Sequence, residues 1–454
     1  MKKLLSLLRN GLPLIILETI ILLTNLIGAS FLLWDDNDYF AWSYSFNGMY
    51  LPTIMNNEVL TICSLIYLPP LIIAVMYLLG LILGGKIDKL LKIRLFSHYN
   101  TDNTKWIYFT QISTMILMFF EIAKIFSVIG LYDILNWTNV AAFYQSRGIL
   151  FNTLGFWDWV AIYTLAPLGV STIAFSRSSA WIKCIIITTY ILLNIISFQK
   201  RPLICGLIII SLAYVIKALR HNSLTKKSIV ITFSVMFGIY MCYFVGIYVN
   251  TLNIVEIPSK GIVAELDKLD NPSIKTSEVF KLYYSDPKVT NGNAFEVALK
   301  RANYGIFNRS AYSGIIYPKI FPNLHNYYLF ARNDILNAKD DNIVVGNYLS
   351  KDATANVVAP SVFYIMFYAY GGIIYSLVAA AFIGLMLGIM WRCLKDKTDN
   401  IFVAMLAVLL MLFSIHISLG SVKDALLSSY GILYPVCLVF LLWMIDCKCK
   451  FTKD

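Results

Sequence analysis

The fold class that this sequence predicts is all-α and polytopic: about ten transmembrane helices and one large extracytoplasmic loop. Three observations predict it. Of the 454 residues, 58% are hydrophobic and only 14% are charged, and the mean hydropathy is +0.69, whereas a soluble domain is about 25% charged. Runs of some 20 apolar residues recur along the chain, the length a helix rising ~1.5 Å per residue needs to cross a hydrocarbon layer ~30 Å thick. These runs are apolar on every face, while the strands of a membrane barrel alternate with period two.

Taken in order, residues 1–10 carry Lys2, Lys3 and Arg9 ahead of an apolar stretch over 12–34. That stretch exceeds the ~7–15 apolar residues of a signal peptide, so it reads as an uncleaved first span. Further spans fall at 61–84, 106–131, 158–176, 181–198, 203–219, 228–248, 371–391, 401–420 and 426–446. An even total places both termini on one side. Lys and Arg in short loops are retained in the cytoplasm. With the N-terminus inside, twenty cations lie in cytoplasmic segments, and the short external segments hold four: Arg147, Lys200, Arg201 and Lys423. The expected orientation therefore has both termini in the cytoplasm.

The formal charge of +11 follows from this dispersal between spans and not from a basic face for nucleic acid. The eight cysteines fall in spans or cytoplasmic segments, which leaves no disulfide framework and no CxxC metal signature. External segment 35–60 is acidic and aromatic, with Asp35, Asp36, Asp38, Tyr39, Phe40, Trp42 and Tyr44, and its rings suit headgroup depth. Segment 249–355 differs in kind. Its 12 Lys or Arg, 11 Asp or Glu and turn pairs such as Asn271 with Pro272 mark a polar surface, and its aromatics mark a small folded unit, not a tether. The chain thus divides into spans one to seven (1–248), the large loop (249–355) and a C-terminal part (356–454). The last part opens with an apolar, aromatic stretch to Tyr370, surplus to a crossing, which predicts a helix along or dipping into the outer leaflet before Gly371 and Gly372.

Candidate chemistry is concentrated outside the membrane. His325 is the one histidine of the large loop, set among Pro318, Phe321, Pro322, Tyr327, Tyr328 and Arg332. It reads either as a general base or as a surface histidine. Arginine grips phosphate with paired hydrogen bonds and keeps its charge when dehydrated. Arg201 sits with Lys200 in a very short external turn before Pro202, against the positive-inside bias. An anion held at the membrane surface explains that exception, and so does snorkelling to lipid headgroups. Arg147 lies in the loop after span three. Arg301 and Arg309 would stand two helical turns apart, as an anion site or as a solvated face. Within the bilayer, Glu121 and Lys124 are spaced to pair on one helix, and Glu18 has no local partner, so that it reads as structural or as a proton relay. No Walker A loop, GxSxG elbow or HExxH pair occurs.

Three stretches then carry a resemblance: Tyr144 to Arg147, Gln199 to Pro202, and a third from Lys300 and Arg301 through Phe321, Pro322 and His325, ending in the aromatic run before Gly371 and Gly372. In these, and in its span plan, the chain resembles the Wzy-type O-antigen and oligosaccharide repeat-unit polymerases of bacteria. The resemblance implies a GT-C-like, metal-independent glycosyltransferase without a cofactor, in the bacterial inner membrane. It would join undecaprenyl-pyrophosphate-linked repeat units into O-antigen or capsular polysaccharide. It also implies His325 as catalytic base, and Arg201 and Lys200, followed by Arg147, Arg301, Arg309 and Arg332, as the pyrophosphate-binding cations. Its partners would be lipid-linked glycans, membrane lipids, a chain-length regulator and a flippase, with no nucleic acid. An O-antigen ligase, or a flippase or other transporter, is the alternative.

Topology is directly testable. A periplasmically active reporter fused within 260–340 should be active and the same reporter fused at Lys227 silent; the reverse pattern would invert the expected orientation.

Overall fold

The computed structural model describes residues 56–91, 103–130, 140–197, 200–220, 363–419, 422–429 and 431–451, with isolated positions in 11–19 and 238–248 and Phe295. Described in order are α1 (Asn56–Leu91), α2 (Asn103–Val128), α3 (Val140–Thr153), α4 (Phe156–Val160), a π-helical turn (Ala161–Leu165), α5 (Ala166–Ser171) and a 3-10 turn (Thr172–Ala174). There follow α6 (Ala180–Ile196), α7 (Lys200–Arg220), α8 (Phe363–Lys395), α9 (Ile401–Leu419), α10 (Val422–Leu427) and α11 (Leu433–Phe451). Among the described residues there is no strand. Four helical stretches of the described residues are long and apolar enough to cross a membrane: Cys63–Asp88, Asn103–Val128, Gly371–Lys395 and Ile401–Ser418. This is an all-α membrane protein.

Four other expected spans coincide with helix of shorter apolar length. Spans 181–198 and 203–219 lie on α6 and α7, and span 158–176 is the interrupted run from α4 to the 3-10 turn. The last begins later than the expected 426. The helix starts at Leu433, because α10 ends at Leu427 and a turn intervenes. Spans 12–34 and 228–248 fall largely outside the described residues; their described positions, such as Leu17 and Phe244, are helical.

Two compact units are formed, Met1–Leu95 with Asn303–Asp396 and Leu410–Ser428, and Phe96–Ala302 with Lys397–Leu409 and Ser429–Asp454. In the first, α1 and α8 run parallel, backbone against backbone. Each carries a G-x-x-x-G pair, Gly80 with Gly84 and Gly384 with Gly388. A Cβ on Gly388 would strike the carbonyl oxygen of Tyr77 and stand 2.9 Å from Gly80 Cα; one on Gly384 would stand 2.7 Å from Ile73 O. With lipid no less apolar than Leu, such close approach supplies the van der Waals gain that holds membrane helices together. Leu71, Val75, Ile82, Val378 and Phe382 are exposed on the remaining faces, as lipid solvent permits. The parallel register also brings Lys86 and Arg392 to one end, and Arg392 there pairs with Asp396 at 2.7 Å.

α8 is broken at Gly371 and Gly372. Gly372 has φ 74° and ψ −157°, a region open in practice only to glycine. The aromatic residues Phe363, Tyr364 and Tyr368 before the break are buried. Of the helix expected ahead of the Gly pair, residues 363–370 are helical, and residues 356–362 lie outside the described residues.

The second unit is built round one apolar cluster from α2, α3, α4, α5, α6 and α7, with Met118, Ile125, Leu150, Ile162, Val170, Tyr190 and Leu193 at its centre. Pro167 explains the π turn. It has no N–H for the carbonyl four residues earlier, and the helix widens just before it, so that Ala166 N–H reaches Ala161 O.

Gly388→Val should destabilise the purified protein by roughly 1–3 kcal/mol through overpacking, read as a lowered thermal midpoint. Gly85→Ala, where the nearest atom to a new Cβ is Arg392 Nε at 3.4 Å, should leave the midpoint unchanged. Equal behaviour of the two would contradict the seam.

Candidate functional site

Contacts fix which helix ends of the second unit lie together. Lys124 of α2 meets Asp158 of α4, and Thr114 abuts Gly169, so α2 runs antiparallel to the α4–α5 run. Trp106, near the start of α2, donates from Nε1 to Asp446 Oδ1 of α11 at 2.8 Å, whereas the start of α11 reaches α4, Tyr434 lying edge-on to Phe156 and Trp157. Lys217 of α7 donates to Ala174 O at 2.7 Å. One end of this unit therefore gathers Trp106, Ala174, Lys217 and Asp446. The opposite end gathers Lys124, Asp158, Tyr434, the C-terminus of α6 and the N-terminus of α7.

Lys200 and Arg201 are at that second end. They open α7 and are not a free turn, because Pro202 suits the first turn of a helix, where its missing N–H costs no bond. What holds this turn is Tyr190 of α6. Its side chain is fully buried, and its hydroxyl donates to Pro202 O at 2.5 Å. Gly206, one turn on, makes the room: a Cβ there would collide with the Tyr190 hydroxyl. Asn194 Nδ2 in turn donates to Tyr190 O at 2.7 Å.

Arg147 belongs to the same end but to a helix, α3, where a loop was expected. Fourteen residues are too few for a crossing. They fold because Leu150 and Leu154 bury in the core cluster and Phe151 stacks on Trp159 with centroids 4.9 Å apart. His325, Arg301, Arg309 and Arg332 lie outside the described residues. Of the large loop, Phe295 is described; it packs edge-on to Phe244 of span seven at 5.5 Å.

The expected Glu121–Lys124 pairing is replaced. Lys124 Nζ lies 2.6 Å from Asp158 Oδ2, which also accepts from Gly155 N at 2.6 Å. Asp158 sits at the third position of α4, where a carboxylate reaches back to an open N–H and favours the helix's positive end. Lys124 is 35% exposed and Asp158 13%, a pair near the end of the bundle. Glu121, one turn further in, is buried with Oε2 lacking a hydrogen-bond partner. Two residues of this site, Asp158 and Tyr190, escape a reading by composition. The Gly155-x-x-Asp158 spacing was a signal for the first; for the second, a lone hydroxyl-bearing ring in an aliphatic run.

Among the described residues, no three His, Cys, Asp or Glu side chains are grouped so as to hold a metal ion. Chemically the arrangement puts at one end of a bundle the helix start that bears Lys200 and Arg201, the Lys124–Asp158 ion pair, and the exposed rings of Phe156 and Trp157. Comparison with protein-family models, with curated proteins and with solved structures finds no match.

Replacing Asp158 tests the ion pair. Asp158→Ala should cost roughly 1–3 kcal/mol, since it removes a charged acceptor from two donors, and Asp158→Asn less, because it still accepts from Gly155. In a chemical-denaturation cycle with Lys124→Met, the double variant should lose less than the two singles added; strict additivity would deny the coupling.

Proposed function

We propose that this protein is a polysaccharide polymerase: a metal-independent glycosyltransferase joining undecaprenyl-pyrophosphate-linked repeat units at the outer face of the cytoplasmic membrane. It would be a multi-pass protein with both termini in the cytoplasm. The observation that carries the reading is the placement of Lys200 and Arg201 at the start of α7, on the end of the bundle that also holds the Arg147 helix. Cations on that side run against the bias that governs the other short loops. They suit a lipid anion, whose charge stays at the membrane surface.

The reaction makes definite demands. An acceptor sugar hydroxyl attacks the anomeric carbon of the donor glycan and loses its proton to His325. The bond from that carbon to the pyrophosphate oxygen breaks, and undecaprenyl pyrophosphate leaves with the electron pair. Arg201 and Lys200 stabilise the charge that grows on the leaving oxygen, an interaction stronger in the transition state than in the ground state. The resemblance adds Arg147, Arg301, Arg309 and Arg332 as further candidates for binding pyrophosphate. One sequence feature speaks for other chemistry: Asp36 and Asp38 form an Asp-x-Asp spacing in the external segment 35–60, a pattern that suits metal-dependent handling of nucleotide sugars.

A flippase is the second reading, favoured by the interrupted helices at Ala161–Leu165 and at Gly371 and Gly372, because transporters build substrate paths from broken spans. Genetics separates the two. Arg201→Ala or His325→Ala, with membrane level verified, should abolish long glycan chains while single repeats still reach the cell surface. Loss of surface single repeats would favour the flippase, and normal chain lengths would remove both residues from the site.

A further inference from the structure

We infer that Tyr190 is a positioning residue for Arg201: its buried hydroxyl sets where the first turn of α7 stands, and with it the cation that meets the leaving pyrophosphate. This rests on the polymerase reading above. Three features of the geometry carry it. The Tyr190 hydroxyl donates to the carbonyl of Pro202, the residue directly after Arg201, at 2.5 Å. The ring has no freedom to move away, being fully buried between α6 and α7. Its end occupies the space that Gly206 leaves open, so that α6 and α7 meet as a hydroxyl set into a glycine notch.

The bond is more than helix packing requires. Pro202 O is an early helix carbonyl, which the N–H four residues on, that of Gly206, can already satisfy. The Tyr190 hydroxyl donates to the second lone pair of that oxygen. A phenylalanine would fill the same volume and bury the same ring, so the hydroxyl itself adds direction. It ties the first turn of α7 to the preceding helix at the residue next to Arg201. An arginine that must sit within hydrogen-bond reach of developing charge gains from such a tie, because a misplacement of ~1 Å costs up to about 100-fold in rate.

The test uses the full-length purified protein with lipid-linked repeat units, and reads kcat and KM separately. Tyr190→Phe should lower kcat roughly tenfold and leave KM within about twofold, since the contact matters where charge develops. Gly206→Ala, which displaces the hydroxyl by another route, should give the same split. In an Arg201→Lys background, which keeps the charge and a measurable rate, Tyr190→Phe should have little further effect. Unchanged kcat in Tyr190→Phe beside a defective Arg201→Ala would overturn the positioning role and leave the polymerase reading standing. An equal kcat loss from Tyr190→Phe in both backgrounds would make Tyr190 a purely structural residue and likewise overturn it. If Arg201→Ala polymerises normally, the polymerase site assignment itself fails, and the inference with it.

Discussion

Hydrocarbon offers no hydrogen bonds, so each backbone N–H and C=O that crosses it must be satisfied within the chain. The rest of the structure is arranged round that constraint. It explains why the described residues form helices without strands, and it decides how those helices can be interrupted. Around Pro167 the helix loses a donor. Nearby hydroxyls turn inward to its carbonyls: Thr164 to Val160 O at 2.8 Å, Ser171 to Leu168 O at 2.5 Å and Thr172 to Gly169 O at 2.6 Å. These buried hydroxyls are polar groups with their partners on their own helix, which keeps the cost of an irregular span small.

Each unit meets the lack of a hydrophobic drive between helices in its own way. In the first, glycines bring α1 and α8 into backbone contact. The second combines an apolar cluster with polar ties at the ends of its helices: Trp106 to Asp446, Lys217 to Ala174 O, Lys124 to Asp158 and Tyr190 to Pro202. Ties at the ends lie nearer to water, where charged groups are less costly than at mid-membrane. They also set the level at which each helix starts, and the start of α7 is where Lys200 and Arg201 stand.

Hydropathy made the long elements legible. Spans 61–84, 106–131, 371–391 and 401–420 coincide with the four helical stretches that, among the described residues, are long and apolar enough to cross a membrane, because twenty apolar residues in a row have few other fates. What hydropathy could not convey is whatever depends on a partner distant in sequence. α3 is too short for a span and folds on Ile125, Ile129 and Trp159; nothing in residues 140–153 alone shows it. Glu121 and Lys124 have ideal spacing for a pair, but Asp158, more than thirty residues on, binds the lysine because it meets α2 at the level of Lys124. The glycine pairs of α1 and α8 were visible as letters, yet their meaning appeared only when the helices were seen to run parallel. For the site, the arginines were singled out by residue type and side of the membrane, and Tyr190, which ties down the turn beside Arg201, carries no such mark.

The central claim is that cations at one end of the bundle replace a metal in handling a lipid pyrophosphate. Purified full-length protein mixed with undecaprenyl-pyrophosphate-linked repeat units, in excess chelator and without any nucleotide sugar, tests it most directly. The account predicts a ladder of lengthening lipid-linked glycans in that mixture. No ladder with chelator, and its return on adding a divalent metal or a nucleotide sugar, would contradict it.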